Sequence, residues 1–277
     1  MRILRLTAIL LAAASIVFCG WAQYTYSQKL NRDIPVLNSD IDMLEISVED
    51  EKDALMRGLF AYDQTDGDLT SKIMVASTSH FTEPGVVNVK YVVFDAHNNS
   101  ATLTRKVKYV DYQSPRFHLE KAPVYIKGQR FDLLDHIKVE DDLEGDIAGN
   151  IRVLSNAVSN YMTCNFPITL QITNAYGDRA QITLMVTYLE KADTTVDIQL
   201  KQYILYLEEG ATFDPEAQIA HAIAPGNQAI PFENIEVGGT LDVNTPGTYH
   251  LTYSYADGSN RGQTNLTVVV GEAGDAA

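Results

Sequence analysis

Two runs of acidic side chains are the residues best placed to do chemistry. Asp63-Gln-Thr-Asp66-Gly-Asp68 and Asp141-Asp-Leu-Glu144-Gly-Asp146 each gather carboxyl groups within a few positions. Clusters of oxygen ligands suit calcium, which takes roughly six to eight of them. Asp63, Asp66 and Asp68, joined by Asp95, would make one such site, and Asp141, Glu144 and Asp146 a second. An EF-hand is excluded, because the twelfth position counted from Asp63 is Met74 where that loop needs a bidentate glutamate. A competing reading needs no metal. Aspartate in a tight turn accepts hydrogen bonds from backbone N–H groups just ahead of it, and Gly67 and Gly145 supply a backbone that other residues reach only with strain. The turn reading is preferred, since a third copy of the unit lacks the acids.

Other chemistry is poorly provided for. Histidines 80, 97, 118, 136, 221 and 250 are scattered, with no His-Glu-x-x-His motif and no pair at the spacing of a helical zinc site. There is no Gly-x-Ser-x-Gly nucleophile elbow and no glycine-rich phosphate loop. Two cysteines exclude a disulfide-stapled scaffold and a thiolate zinc site, and Cys164 reads as a buried free thiol. A net charge of −15 repels phosphate backbones, so a nucleic-acid partner is not expected. The chain reads as a non-enzyme without a cofactor, calcium at the acidic runs being the one candidate.

The elements that position these residues are strands. The acidic run recurs 78 residues later without a gap. Pro84-Gly85-Val-Val87-Asn-Val89-Lys-Tyr91 recurs as Pro246-Gly247-Thr-Tyr249-His-Leu251-Thr-Tyr253. A middle copy runs from Cys164 to Asn174, with Phe166, Ile168, Leu170 and Ile172 alternating with more polar positions. Successive strand side chains point to opposite faces, so this pattern gives one apolar face and one wet face. Turn-rich stretches follow at 95–99, 174–178 and 257–262, and then a second alternating strand: Ala180, Ile182, Leu184, Val186 and Tyr188 in one copy, Leu266, Val268 and Val270 in another. A hairpin with one apolar face must bury it against a second sheet, so each copy predicts a β-sandwich. The expected domains are 34–111, 112–190 and 196–271, with a linker at Glu190–Val196 and a frayed tail at 272–277. Helical periodicity is weak, and only Glu51–Phe60 suits a short helix or turn.

The run from Ala61 to Ile73, then Pro84-Gly, Phe94-Asp-Ala-His-Asn-Asn-Ser-Ala and Arg105 to Asp111 resembles a bacterial Ig-like family named after a domain of a pesticidal crystal protein. Copy one has Asn98 where the family has a turn glycine. Copy two keeps the acids and lacks Pro-Gly, and copy three keeps Pro-Gly and lacks the acids. The resemblance covers most of residues 34–271. It implies an all-β chain of three tandem immunoglobulin-like sandwiches, of the kind found as modules of secreted or surface-anchored proteins, and it carries over no catalytic chemistry.

Arg2 and Arg5 precede an apolar stretch from Leu6 to Ala22, followed by Tyr24 and Tyr26. Residues 1–6 read as a cytoplasmic leader and 7–26 as a single-pass membrane anchor with the sandwiches outside. The alternative is a signal peptide cut after Ala22, giving a secreted protein. Phe18 is too bulky before Cys19 for a lipoprotein site. The expected role is a membrane-anchored extracellular array acting as a spacer or adhesion stalk. Alternatives are a binding module for cell-envelope glycan or its assembly machinery, and a calcium-stiffened adhesin. The expected partner is an envelope protein or glycan.

Overall fold

A computed structural model describes residues 2–29, 34–128, 133–156, 164–189 and 195–271. The expected linker at 190–196, for the most part, and the tail at 272–277 lie outside these residues, as does the side chain of Cys164. The helix α1 runs Arg2–Lys29, and its side chains are described over 11–25. Among the described residues no helix is long and apolar enough to cross a membrane. The expected single-pass anchor over 7–26, and the localisation built on it, are therefore overturned.

The rest is strand, in two compact units: residues 1–79 with 86–108, and residues 80–85 with 109–277. In the first, β1 (Val36–Ser39), β3 (Leu59–Asp63) and β4 (Gly67–Asp68) make a sheet of order β1-β3-β4. β2 (Met43–Ile46), β5 (Met74–Thr78), β6 (Val86–Phe94) and β7 (Ser100–Tyr109) make another, of order β2-β7-β6-β5. The hairpin of β6 and β7 is antiparallel, with Val89 opposite Arg105 and Phe94 opposite Ser100. Alternate residues Val87, Val89, Tyr91 and Val93 are buried, as alternation requires, with Leu37, Leu44, Leu59, Ala61 and Leu69 also in the core. The 51–60 segment holds a short 3-10 helix, Lys52–Met56.

Arg105 of β7 is also buried. Its guanidinium donates to the carbonyl of Arg57 at 2.7 Å, the carbonyl of Leu55 at 2.7 Å and Ser39 Oγ at 3.1 Å, and lies over the Tyr91 ring. It fastens the 55–57 loop to the sheet.

The second unit repeats that topology twice. β8 (Arg116–Leu119), β10 (Ile137–Asp141) and β11 (Gly145–Asp146) form a sheet of order β11-β10-β8. β9 (Val124–Ile126), β12 (Arg152–Asn156), β13 (Cys164–Thr173) and β14 (Arg179–Leu189) form one of order β12-β13-β14-β9. The third copy follows the same plan with β15 (Asp197–Leu200), β16 (Ile204–Leu207), β17 (Ile219–Ala224), β18 (Gln228–Ala229), β19 (Glu236–Gly238), β20 (Gly247–Asp257) and β21 (Asn260–Val270). In both copies the central strand of the four-stranded sheet also pairs in parallel with a short edge strand, β14 with β9 and β21 with β16. All three copies are thus all-β sandwiches of one blueprint.

The two copies in this unit share one apolar cluster that runs from Phe117 to Val270. The polar face of β21, read as wet from its alternation, is buried here: Asn265 and Thr267 are both nearly inaccessible. Asn265 Nδ2 donates to the Met185 carbonyl at 3.1 Å and to Thr187 Oγ1 at 2.8 Å on β14. Thr187 in turn donates to Asn165 Oδ1, which also accepts from Gln263 Nε2 at 2.7 Å. The outward faces of β14 and β21 therefore meet in a hydrogen-bonded polar seam. Burying amides and hydroxyls costs little once their donors and acceptors are matched.

Candidate functional site

Each acidic run forms the tight turn after a short strand. Asp63 and Asp141 end β3 and β10, and both are buried. Asp63 Oδ1 accepts from the N–H groups of Thr65 and Asp66, at 2.8 and 2.9 Å. Asp141 Oδ1 accepts from those of Leu143 and Glu144, both at 3.0 Å. Gly67 and Gly145 follow with φ of 74° and 75°, the left-handed backbone that an Asx turn closes with. Asp68 and Asp146 each accept from the first N–H of the next short helix, that of Thr70 and of Ala148, at 2.9 Å. The hydrogen bonds from Thr70 hold the Asp68 carboxyl below its ordinary range.

The remaining acid in each run reaches across the sandwich. Asp66 Oδ2 accepts from the Ala96 N–H at 2.6 Å, and Glu144 accepts from that of Ala175. Ala96 and Ala175 open the hairpin turns after β6 and β13, so each acid brackets its two sheets at one end. Those turns are held by Asp95 and Asn174. Asp95 Oδ1 accepts from the N–H groups of His97 and Asn99, both at 2.8 Å, and Oδ2 from Asn99 Nδ2. Burial pushes the Asp95 carboxyl up, but the hydrogen bonds from Asn99 and His97 outweigh it and hold it below the usual range. Asn174 Oδ1 accepts from the N–H groups of Tyr176 and Asp178.

Of the seven acids offered as metal ligands, the structure brings Asp66 and Asp95 together, and adds His97. One ligand atom from each lies within 4.8 Å of the others. Asp68 is engaged on the neighbouring turn instead. Around Asp141 the partners are neutral: Asn174 Nδ2 at 2.8 Å and the Tyr112 hydroxyl at 3.4 Å. Tyr112 donates to Asp178 Oδ2 at 2.8 Å, and burial together with that carboxylate pushes its ionisation well up. The third copy has Ala224 where the others have aspartate, and its turn is shaped by Gly226 and Asn227, with φ of 83° and 64°. His97 stands two positions from Asp95 but some thirty from Asp66, and no sequence spacing tied it to the acidic run.

The second unit also carries a groove of about 1170 Å³. Phe81 packs against Tyr112 and Tyr176, with ring centroids 4.7 and 5.3 Å away. Tyr206 forms another part of the lining, with the Arg116 guanidinium over its ring and its hydroxyl accepting from the Phe117 N–H at 2.8 Å. Burial pushes the Tyr206 hydroxyl up to about 12. Carboxylates such as Asp178 and Glu208 complete the lining. Half-buried aromatic rings beside hydrogen-bond acceptors form a surface that can stack on and hydrogen-bond a polyhydroxylated ligand. The residues named come from four separate stretches of chain, so no single motif in the sequence joins them.

Residues 201–270 match the family model described as bacterial surface protein, Ig-like domain. The pesticidal crystal protein Cry22Aa of Bacillus thuringiensis is 30% identical over 136 residues, which is 47% of this chain and 18% of that protein. The chain thus spans under a fifth of that relative's length. Among solved structures, the CBM51-2 (in complex with GlcNAc) and INT domains of Clostridium perfringens ZmpB share 20% identity at a TM-score of 0.23, over 50% of this chain and 28% of that one. The lipoprotein BT2262 of Bacteroides thetaiotaomicron shares 12% at a TM-score of 0.21, over 84% and 98%. Family match, sequence relative and repeated sandwich topology agree on tandem Ig-like copies.

Proposed function

We propose that the chain is a non-catalytic surface module that works as a spacer or adhesion stalk and presents an interaction face. The observation that carries this reading is the shared core of the second unit. Two sandwiches joined through a continuous apolar cluster and a matched polar seam resist bending, and resistance to bending is what a spacer needs. The carboxylates that could have served as acid–base groups are held in turn hydrogen bonds, each of the seven accepting at least one backbone N–H. A test is adhesion of cells displaying the full chain to immobilised envelope material. The chain is expected to adhere, and Asn265→Asp, which forces a charge into the seam, is expected to lose most of that adhesion. Equal adhesion by both would sink the reading.

The aromatic groove favours a second reading, in which the interaction face takes a neutral envelope polysaccharide. Sugar rings stack on aromatic faces while carboxylates accept their hydroxyl protons. A glycan array probed with the chain and with Phe81→Ala tests it. Loss of signal in the variant is expected, and no signal from the parent chain would remove this reading while leaving the spacer role in place.

A further inference from the structure

The groove of the second unit carries a charge that the neutral-glycan reading leaves without a role. Five carboxylates line it: Glu83, Asp111, Asp178, Glu208 and Glu209. They come from four stretches of chain, so the charge belongs to the groove and not to one turn. Arg116 is the one lysine or arginine in that lining among the described residues, and its guanidinium lies over the Tyr206 ring. Burial, and after it the Asp178 and Asp141 carboxylates, pushes the Tyr112 ionisation up, and burial with Glu144 and Asp141 does the same to Tyr176. Both rings therefore stand in a negative field. A cleft lined by one sign of charge between low-dielectric walls focuses that field and gathers the opposite charge.

We infer that this groove takes a sugar chain bearing free, protonated amino groups in preference to a neutral one. The inference rests on the stacking face of the glycan reading and departs from it in the charge of the sugar. Phe81 lies against Tyr176 at an interplanar angle of 23° and against Tyr112 at 58°, so the three rings make one aromatic wall. A sugar chain packs its apolar faces on such a wall. Ammonium groups along that chain then meet both the electron-rich ring faces and the carboxylates, and each attracts them. The same field repels uronic acids and phosphate-bearing polymers. A basic polypeptide would match the charge, but it offers the rings long flexible side chains whose immobilisation costs entropy that a stiff sugar ring does not lose.

The test is calorimetric titration of the full chain with a glucosamine oligomer, and with the same oligomer after N-acetylation of every amine. At about pH 5.5 the amines are protonated and the carboxylates ionised. The amine-bearing oligomer is expected to bind at least about tenfold tighter at low salt, and added salt is expected to narrow that gap. Glu208→Gln combined with Glu209→Gln, both exposed, is expected to cut the preference at least about threefold and to leave the acetylated oligomer's affinity as it was. A lysine oligomer of equal charge is expected to bind more weakly than the glucosamine oligomer. Equal affinity for the two sugars, tighter binding of the acetylated one, or a full preference in the double variant would overturn the inference and leave the glycan reading in place. A lysine oligomer binding as tightly as the amino sugar would overturn it in favour of a basic polypeptide. Silence with both sugars would remove the inference and the glycan reading together.

Discussion

The same strand of the blueprint appears as β7 in the first sandwich and β21 in the third, and the two have opposite characters. β7 turns Thr102, Thr104, Lys106 and Lys108 to water and buries Arg105. β21 buries Leu266 where β7 has Arg105, and also buries Asn265 and Thr267, the residues in register with Thr104 and Lys106. One strand keeps a cation inside and an open face outside. The other keeps an ordinary apolar core and closes its outer face with a polar seam. A shared fold therefore fixes the alternation of faces and leaves open what each face meets.

Removing Arg105 should break the comparison hardest. Arg105→Ala strips donors from the carbonyls of Leu55 and Arg57 and empties a buried site, at a cost of about 3 kcal/mol. Urea unfolding with hydrogen exchange read at β6 and β7 would show it, and exchange in β14 and β21 should be unmoved. Asn265→Ala comes next, at about 2 kcal/mol, because it leaves the Met185 carbonyl and Thr187 without their donor. Its effect should fall on β14 and β21 and spare β7.

A smaller effect is tied to pH. Burial lowers the pKa of His250, which lies beside Thr267 on the seam strand. The unfolded chain then takes up its proton before the folded chain does as pH falls. Stability from this group is complete above about pH 6.5 and declines as pH drops below it toward the lowered folded value. The melting midpoint of the second unit should fall between pH 7 and pH 5, and His250→Gln should flatten that slope. Smallest of all is Thr104→Asn, which writes the seam residue onto the open strand. It should stay within about 0.5 kcal/mol of the parent, since nothing buries that position.

Much of this architecture was readable from alternation alone. Phe166, Ile168, Leu170 and Ile172 sit inside as their spacing requires, and so do Leu266, Val268 and Val270. What escaped had a physical reason in each case. Asn265 and Thr187 are polar and read as wet, because a strand pattern says which face is apolar and not whether a second sandwich will cover the other. The turn role of Asp63 and Asp141 was legible from Asp and Gly spacing. The convergence of His97 on Asp66 was not, since it depends on two turns from different sheets meeting at one end. The membrane reading of α1 failed because, among the described residues, no helix is long and apolar enough to cross a membrane.

The strip 80–85 belongs to the second unit although β5 and β6 of the first flank it in sequence. Anyone excising that unit at residue 112 would discard Phe81, and with it the ring that Tyr112 and Tyr176 lean on. Such a truncated fragment would bring a damaged groove to any binding assay, and its silence would be an artefact of where the scissors fell.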